Sequence, residues 1–285
     1  MPAKRRRAST PVVPTSMRAA AIDRFGPSSV IKIQTLPVPK PGPREVLIAI
    51  HGAGVGSWDE SIRDGSWKPS GRTKFPLVLG TDGAGIVVMK GSRVRRFRLG
   101  DRVWSYDAAA GFYAEYVAVA ERVVGRVPRR LDLLDAGAAA VTGLTALQGI
   151  DDALRVRRGE TVLVFGASGA VGTLAVQFAK RRGARVLATA SGRAARNVVR
   201  RLGADAVIDA RRSKEIDRLG ELAPDGLDAA LALAGGRELE RCLDFVREGG
   251  RIAYPNGIEP SRYASATIAT KIGLTVIVRT PAGRI

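Results

Sequence analysis

The period of hydrophobic positions changes along the chain, and it is plainest in the second half. Thr161–Phe165 is a short, β-branched apolar run, the pattern of a parallel strand buried on both faces. The run breaks at Gly166. From Ala170 the period becomes helical: Val171, Leu174, Ala175 and Phe178 fall at i, i+3, i+4 and i+7, on one face of a helix that ends near Gly183. A second apolar run, Ala184–Ala190, follows. Strand, glycine turn, helix and strand within about 30 residues make a βαβ unit. The first half has another rhythm. Met17–Ile22, Val30–Gln34, Glu45–His51, Gly83–Val88, Arg102–Trp104 and Ala114–Val119 are short strand patterns separated by glycines. With little helix between them, they predict a compact, barrel-like β domain. Pro37, Pro39, Pro41 and Pro43 mark an extended connection.

The glycine turn carries chemistry. Gly166 permits a tight turn, Gly169 lets backbone approach a pyrophosphate, and Gly172 lets helix and strand pack closely. With Ala167, Ser168, Ala170 and Val171 they set the free N–H groups of a helix start around phosphate oxygens. An ordinary strand-to-helix turn is the other reading; the agreement of both strands with the helix period favours dinucleotide binding. A fold that takes NAD usually places Asp or Glu at the end of the second strand, about 20 residues past the glycines. Here that place holds Ser191-Gly192-Arg193. A hydroxyl, a small residue and a guanidinium suit a 2′-phosphate, and Lys180 near the helix end adds charge, so the expected cofactor is NADPH. The alternative is that Arg193 is one surface arginine among many.

Composition sets bounds. The 285 residues suffice for two domains, and 45% hydrophobic residues with 33 glycines describe a globular chain. No apolar run approaches the roughly 18 residues of a membrane span. No apolar segment follows the basic N-terminus, so no secretory signal is read. A single cysteine, Cys242, excludes intrachain disulfides and any multi-cysteine zinc site, and a single histidine, His51, further weakens metal chemistry. A metal-free cytoplasmic enzyme is expected. The net charge of +19 raises nucleic acid as a partner. The excess is spread along the chain, which reads as a solvated arginine-rich surface. Two arginine clusters, around Lys180–Arg182 and Arg196–Arg201, flank the expected cofactor site. Residues 1–16, with three prolines and the basic run Lys4–Arg7, read as a disordered tail.

Several blocks carry a resemblance. Phe75–Val87, with Leu79-Gly-Thr-Asp-Gly-Ala-Gly85 inside it, then Gly91–Val103, Gly111–Tyr116, Ala138–Ala146, the 161–172 turn and Gly249–Ile252 resemble the medium-chain dehydrogenase/reductase superfamily. Within it the chain is similar to the zinc-independent quinone oxidoreductases, the zeta-crystallin-like branch. The match runs from Met17 to about Gly257. It implies an α/β protein with a GroES-like β-rich catalytic domain, residues 17–134. A Rossmann doubly wound parallel sheet follows, residues 135–285, with the active site in the cleft between. It implies NADPH-dependent reduction of quinones or α,β-unsaturated carbonyls. Carried over, Gly166 to Gly172 would hold the pyrophosphate, and Lys180, Ser191 and Arg193 the adenosine phosphate. Thr142 and Thr145 would lie near the nicotinamide. Ala234, Gly235, Pro255, Asn256 and Gly257 would edge its ribose, beyond the carboxyl ends of the strands.

Hydride transfer asks a protein chiefly for orientation and exclusion of water. The expected substrate loop is Val55–Gly65. Trp58 and Trp67 read as an apolar wall or as packing, Ser57 or Ser61 as a hydrogen-bond donor, and Asp59 as a proton-relay group or a structural carboxylate. Tyr106 and Tyr113 are further candidate donors, and His51 reads as structural. The chain departs from the family at three places. Gly56 stands where relatives usually have Asn, and Ser61 where some have Tyr. About 28 residues follow Gly257, so the segment that returns to the first domain is read as missing. Leu274–Arg279 would then be the final Rossmann strand, which in relatives often pairs across a homodimer. The competing reading is a nucleotide-binding, catalytically weak protein whose basic surface binds RNA or another acidic partner.

Overall fold

The structure, a computed structural model, describes residues 12–68, 73–255, 267–271 and 274–278. The chain forms two compact units, Met1–Val141 and Thr142–Ile285. The first holds β1 (Ser16–Ile22), β2 (Lys32–Pro37), β3 (Glu45–Ala53), α1 (Ser57–Asp64), β4 (Leu77–Val78), β5 (Asp82–Lys90), β6 (Arg102–Tyr106), β7 (Tyr116–Ala120) and β8 (Val124–Arg126). They make two antiparallel sheets, in the orders β2-β1-β4 and β7-β3-β5-β6-β8. Alternate residues of β6 and β7 point inward, so Val103, Val117 and Val119 join Val46, Ile48, Val87, Phe97 and Phe112 in one core.

Three details differ from the sequence reading. Val30 closes a single 3₁₀ turn, Ser28–Val30, and the strand starts at Lys32. Ser16 pairs with Pro37, and Val38 N–H donates to the Thr15 carbonyl at 3.0 Å, so the ordered chain begins before Met17. Backbone donors seek partners whatever the local composition; residues 1–11 of the expected tail lie outside the described residues. Third, the expected substrate loop is largely the helix α1. Its Asp59 carboxylate receives the Gly56 N–H at 2.8 Å, and Gly65 ends it in the left-handed region at φ 83°. Trp58 and Ile62, one turn apart, pack with Ile22, Val30 and Leu79.

Helix α2, Leu133–Gln148, continues through a π turn to Ala153. This 21-residue stretch is long and apolar enough, by length and composition, to cross a membrane, against the expectation that no run reaches that size. Its mean hydropathy is 1.3 over an 18-residue window, although Asp135, Asp151 and Asp152 lie within the stretch. The helix packs on a strand: a Cβ on Gly137 would lie 2.3 Å from the Gly52 carbonyl oxygen of β3. The units divide within α2, whereas the sequence reading put the boundary at 134/135.

The second unit contains β9 (Thr161–Phe165), α3 (Ala170–Arg181), β10 (Arg185–Thr189), α4 (Arg193–Arg201), β11 (Ala206–Ile208), α5 (Ser213–Leu222), β12 (Leu227–Ala232), α6 (Arg237–Leu243), β13 (Val246–Pro255), β14 (Thr267–Lys271) and β15 (Leu274–Val278). Its sheet has the order β11-β10-β9-β12-β13-β15-β14, and the first five strands are parallel. That is the doubly wound arrangement. Val162 and Val164 pack into one face's core and Leu163 and Phe165 into the other's, as a strand covered on both sides requires. Cys242 is fully buried in the second core, where burial pushes its thiol up to about 12. β15 runs antiparallel to both β13 and β14. A two-residue link, 272–273, joins β14 to β15 and dictates an antiparallel pair. β15 therefore has both edges occupied within its own sheet, and among the described residues β14 is the outermost strand on that side. Arg279, at the end of the expected strand, lies outside the described residues.

Candidate functional site

In the second unit the site is made by backbone. Gly166 leaves β9 at φ 82°, in the region open to glycine. A Cβ on Gly172 would lie 2.5 Å from the Gly166 carbonyl oxygen and 2.6 Å from the Ala167 Cα, so no side chain fits there. A Cβ on Gly169 would make only an ordinary 3.5 Å contact with Gly166 O. No side chain caps the start of α3, and Ser168, Gly169 and Ala170 are exposed around it, with Val171 half-buried and Ala167 buried. An uncapped helix start presents N–H groups and a positive dipole end to an anion. The Thr189 hydroxyl, at the end of β10, accepts the Gly166 N–H at 2.8 Å and fixes the turn. The segment after β12 runs alongside: Leu233 N–H donates to the Phe165 carbonyl at 3.0 Å, and a Cβ on Gly166 would lie 3.6 Å from the Ala234 nitrogen. Ala234 and Gly235 are exposed there. Thr142 and Thr145, one turn apart on α2, are half-buried, and Pro255 ends β13. Asn256 and Gly257 lie outside the described residues.

Of the three side chains expected at the adenosine phosphate, two are engaged elsewhere. Lys180 Nζ holds both oxygens of Asp205, at 3.0 and 2.8 Å, and Asp205 also receives the Val186 N–H. The Ser191 hydroxyl donates to Asp209 at 2.7 Å, which helps to hold that carboxyl below its ordinary range. Arg193, the first residue of α4, is exposed and pairs with no carboxylate among the described residues. Asp205 and Asp209 bracket β11; the sequence reading overlooked both.

In the first unit the site is made by side chains. The Trp58 indole Nε1 donates to the Thr81 hydroxyl at 2.7 Å. Tyr113 O–H donates to Asp59 Oδ2 at 2.9 Å, the same oxygen that receives the Gly56 N–H. Asp82 Oδ2 receives the Val141 N–H at 3.0 Å. The other oxygen of each carboxylate is buried without a hydrogen-bond partner. Asp59 is 6% exposed and Asp82 0%. Burial, with repulsion from Asp59, pushes Asp82 up to about 6 despite its bond from Val141. Burial also raises Asp59, against the two hydrogen bonds it accepts. Both phenols are raised above their ordinary value, by burial first and by nearby carboxylates second. Tyr106 stands directly across from Asp82 on the neighbouring strand.

Thus the structure brings Trp58 and Asp59 together with Thr81, Asp82 and Tyr113. Ser57 is exposed, Ser61 half-buried, and neither hydroxyl bonds to this group among the described residues. His51 is exposed, and Trp67 is 40% exposed. Sequence reasoning missed Asp82. The available signal was a carboxylate among small and apolar residues in Leu79-Gly-Thr-Asp-Gly-Ala-Gly-Ile86, a position that burial makes costly. Among the described residues, no group of three or more His, Cys, Asp or Glu side chains is set to hold a metal ion.

The Alcohol dehydrogenase GroES-like domain family matches residues 42–129, and the Zinc-binding dehydrogenase family residues 170–278. The quinone oxidoreductase of Rattus norvegicus is 34% identical over 238 residues, which cover 83% of this chain and 72% of that protein. The chain belongs to the medium-chain dehydrogenase/reductase superfamily. Within that superfamily it is quinone oxidoreductase-like, and it is an oxidoreductase by kinship. A solved mycobacterial quinone oxidoreductase superposes with a TM-score of 0.73 at 30% identity, covering 82% of this chain and 72% of that one. A mycobacterial protein solved in complex with NADPH gives 0.75 at 30% identity, covering 86% and 76%. Both units thus have the superfamily's expected architecture, a GroES-like β unit and a Rossmann-type parallel sheet.

Proposed function

We propose that the protein is an NADPH-dependent, zinc-independent reductase of quinones or α,β-unsaturated carbonyls. The observation that carries this reading is the uncapped start of α3 behind a turn where Gly172 admits no side chain, with Arg193 at the start of α4 paired with no carboxylate among the described residues. A nicotinamide cofactor fits that cradle and supplies the hydride when bound. The chain's own tasks are positional. The 166–172 backbone holds the pyrophosphate, and Arg193 takes the 2′-phosphate in preference to Lys180 and Ser191, whose polar atoms are occupied. Thr142, Thr145, Ala234, Gly235 and Pro255 are assigned to the nicotinamide end, as are Asn256 and Gly257. Trp58 offers a flat apolar ring to a planar small-molecule substrate, and Asp59 is the buried carboxylate beside it. The quinone oxidoreductases among the relatives, and the NADPH complex of one structural relative, support the choice of substrate class and cofactor. The lone cysteine, buried in the second core, supports chemistry without zinc.

Fluorescence titration tests the cofactor. NADPH should bind more tightly than NADH, and Arg193→Asp should remove the preference. Equal binding of the two in the wild type would discard NADPH dependence. A panel of quinones and enones tests the reaction: NADPH should be oxidised only when an electrophile is present. Tight NADPH binding with no oxidation by any of them would leave a nucleotide binder and discard the reductase.

A further inference from the structure

Two buried carboxylates lie in the first unit, and among the described residues neither is paired with a cation. Asp59 comes from α1 and Asp82 from β5. One oxygen of each accepts a backbone N–H, and the other is buried without a partner. Among the described residues neither forms a salt bridge. The groups that face them are Tyr113 from the segment before β7, Tyr106 from β6, and the Trp58 indole, whose N–H is committed to Thr81. Ionising both acids would leave two unpaired charges in the interior, and one proton on the pair relieves most of that cost. The Tyr113 hydroxyl is hydrogen-bonded to Asp59 alone of the two, and it is the outlet for a proton held there. Its ring is held against the backbone: a Cβ on Gly80 would lie 2.4 Å from Tyr113 Cδ1. With Asp59 ionised, Tyr113 donates to it. With Asp59 protonated, the acid can donate to the phenol oxygen, and the phenol hydrogen turns away from the carboxylate.

We propose that Asp59 and Asp82 together hold the proton that follows the hydride, and that the Tyr113 hydroxyl passes it to the substrate oxygen. This rests on the reductase reading. Hydride adds to the electrophilic carbon, and the π pair it displaces becomes the charge on the carbonyl oxygen. The Tyr113 O–H bond breaks as its proton moves to that oxygen, and Asp59 gives its proton to the phenolate. Two carboxylates remain until solvent returns one proton. Tyr113 is the catalytic group; Asp59 and Asp82 act through it. The direction of both carboxyl shifts, upward, agrees with a retained proton.

The test is rapid-mixing NADPH oxidation against pH for the wild type, Tyr113→Phe and Asp82→Asn, using a quinone or enone that the wild type reduces. Wild-type rates should fall as pH rises past the point where the pair loses its proton. Tyr113→Phe, which keeps the ring packed on Gly80, should slow the reaction about 100-fold, with NADPH affinity changed by less than about twofold. Asp82→Asn should shift or abolish the falling limb, which loss of stability alone would not do. A Tyr113→Phe enzyme with the wild-type rate and pH profile overturns the proposal and leaves the reductase standing. A wild type that binds NADPH yet reduces none of these electrophiles at any pH overturns both.

Discussion

The two units make their polar sites in opposite ways. In the second, the site is a set of absences: no side chain at Gly166, Gly169 or Gly172, and no cap on α3. Its donors are main-chain N–H groups that any sequence would supply once the turn is formed. In the first, the site is a gathering of side chains, Trp58, Asp59, Thr81, Asp82 and Tyr113, brought from three separate stretches. A backbone site costs little and is sensitive to added bulk. A side-chain site stores free energy, since two carboxylates are kept from water with no salt bridge among the described residues, and it is sensitive to charge and pH.

The sharpest way to break this contrast is to add bulk where the backbone needs none. Gly172→Val should abolish nucleotide binding and lower stability by about 3 kcal/mol, read by denaturant unfolding, because its Cβ alone would lie 2.5 Å from the Gly166 carbonyl oxygen. Gly169→Ala is the control for stability alone, since its Cβ would make only an ordinary contact with the protein. Wild-type binding by the valine variant would mean that the turn is not a backbone site. Asp82→Asn comes next and probes the other unit. The folded carboxyl is raised from 3.8 to about 6, so its stabilising contribution is complete below the lower value and lost as pH rises through the higher. Between pH 4 and 7.5 the wild type should lose about 3 kcal/mol to this group, and the variant should lack that slope. Parallel unfolding curves for the two proteins would refute a raised Asp82. Arg193→Asp should weaken NADPH by about 2 kcal/mol, roughly 30-fold, with NADH little affected. The smallest effect belongs to Lys180→Ala. A half-exposed pair with Asp205 contributes less than about 1 kcal/mol, and the nucleotide should scarcely register its loss. A larger loss of NADPH affinity than Arg193→Asp causes would reverse the assignment of the two cations.

The same contrast explains what could be read in advance. β9 was legible to the residue and α3 to within a turn, because both faces of a covered strand and one face of a helix leave a period in the sequence. The glycine turn was legible because its requirement is local. The fate of Lys180 was not, since Asp205 arrives 25 residues later from the far side of α4. Asp82 was hidden for a like reason: its hydrogen-bond partner, Val141, comes from α2, 59 residues on, and no spacing encodes that. α1 was taken for a loop because eight residues are too few to display a helical period, and its start is fixed by one carboxylate–amide bond.

The contact between Gly56 and Trp58 has a consequence for how this chain can change. A Cβ at position 56 would fall 2.2 Å from Cζ2 of the Trp58 ring, so the indole occupies the volume that a residue-56 side chain would claim. The two positions form one unit of inheritance. A library randomised at 56 alone should return glycine, whereas one randomised at both should return pairs that trade bulk across the gap. An asparagine placed at 56 therefore calls for a smaller residue at 58.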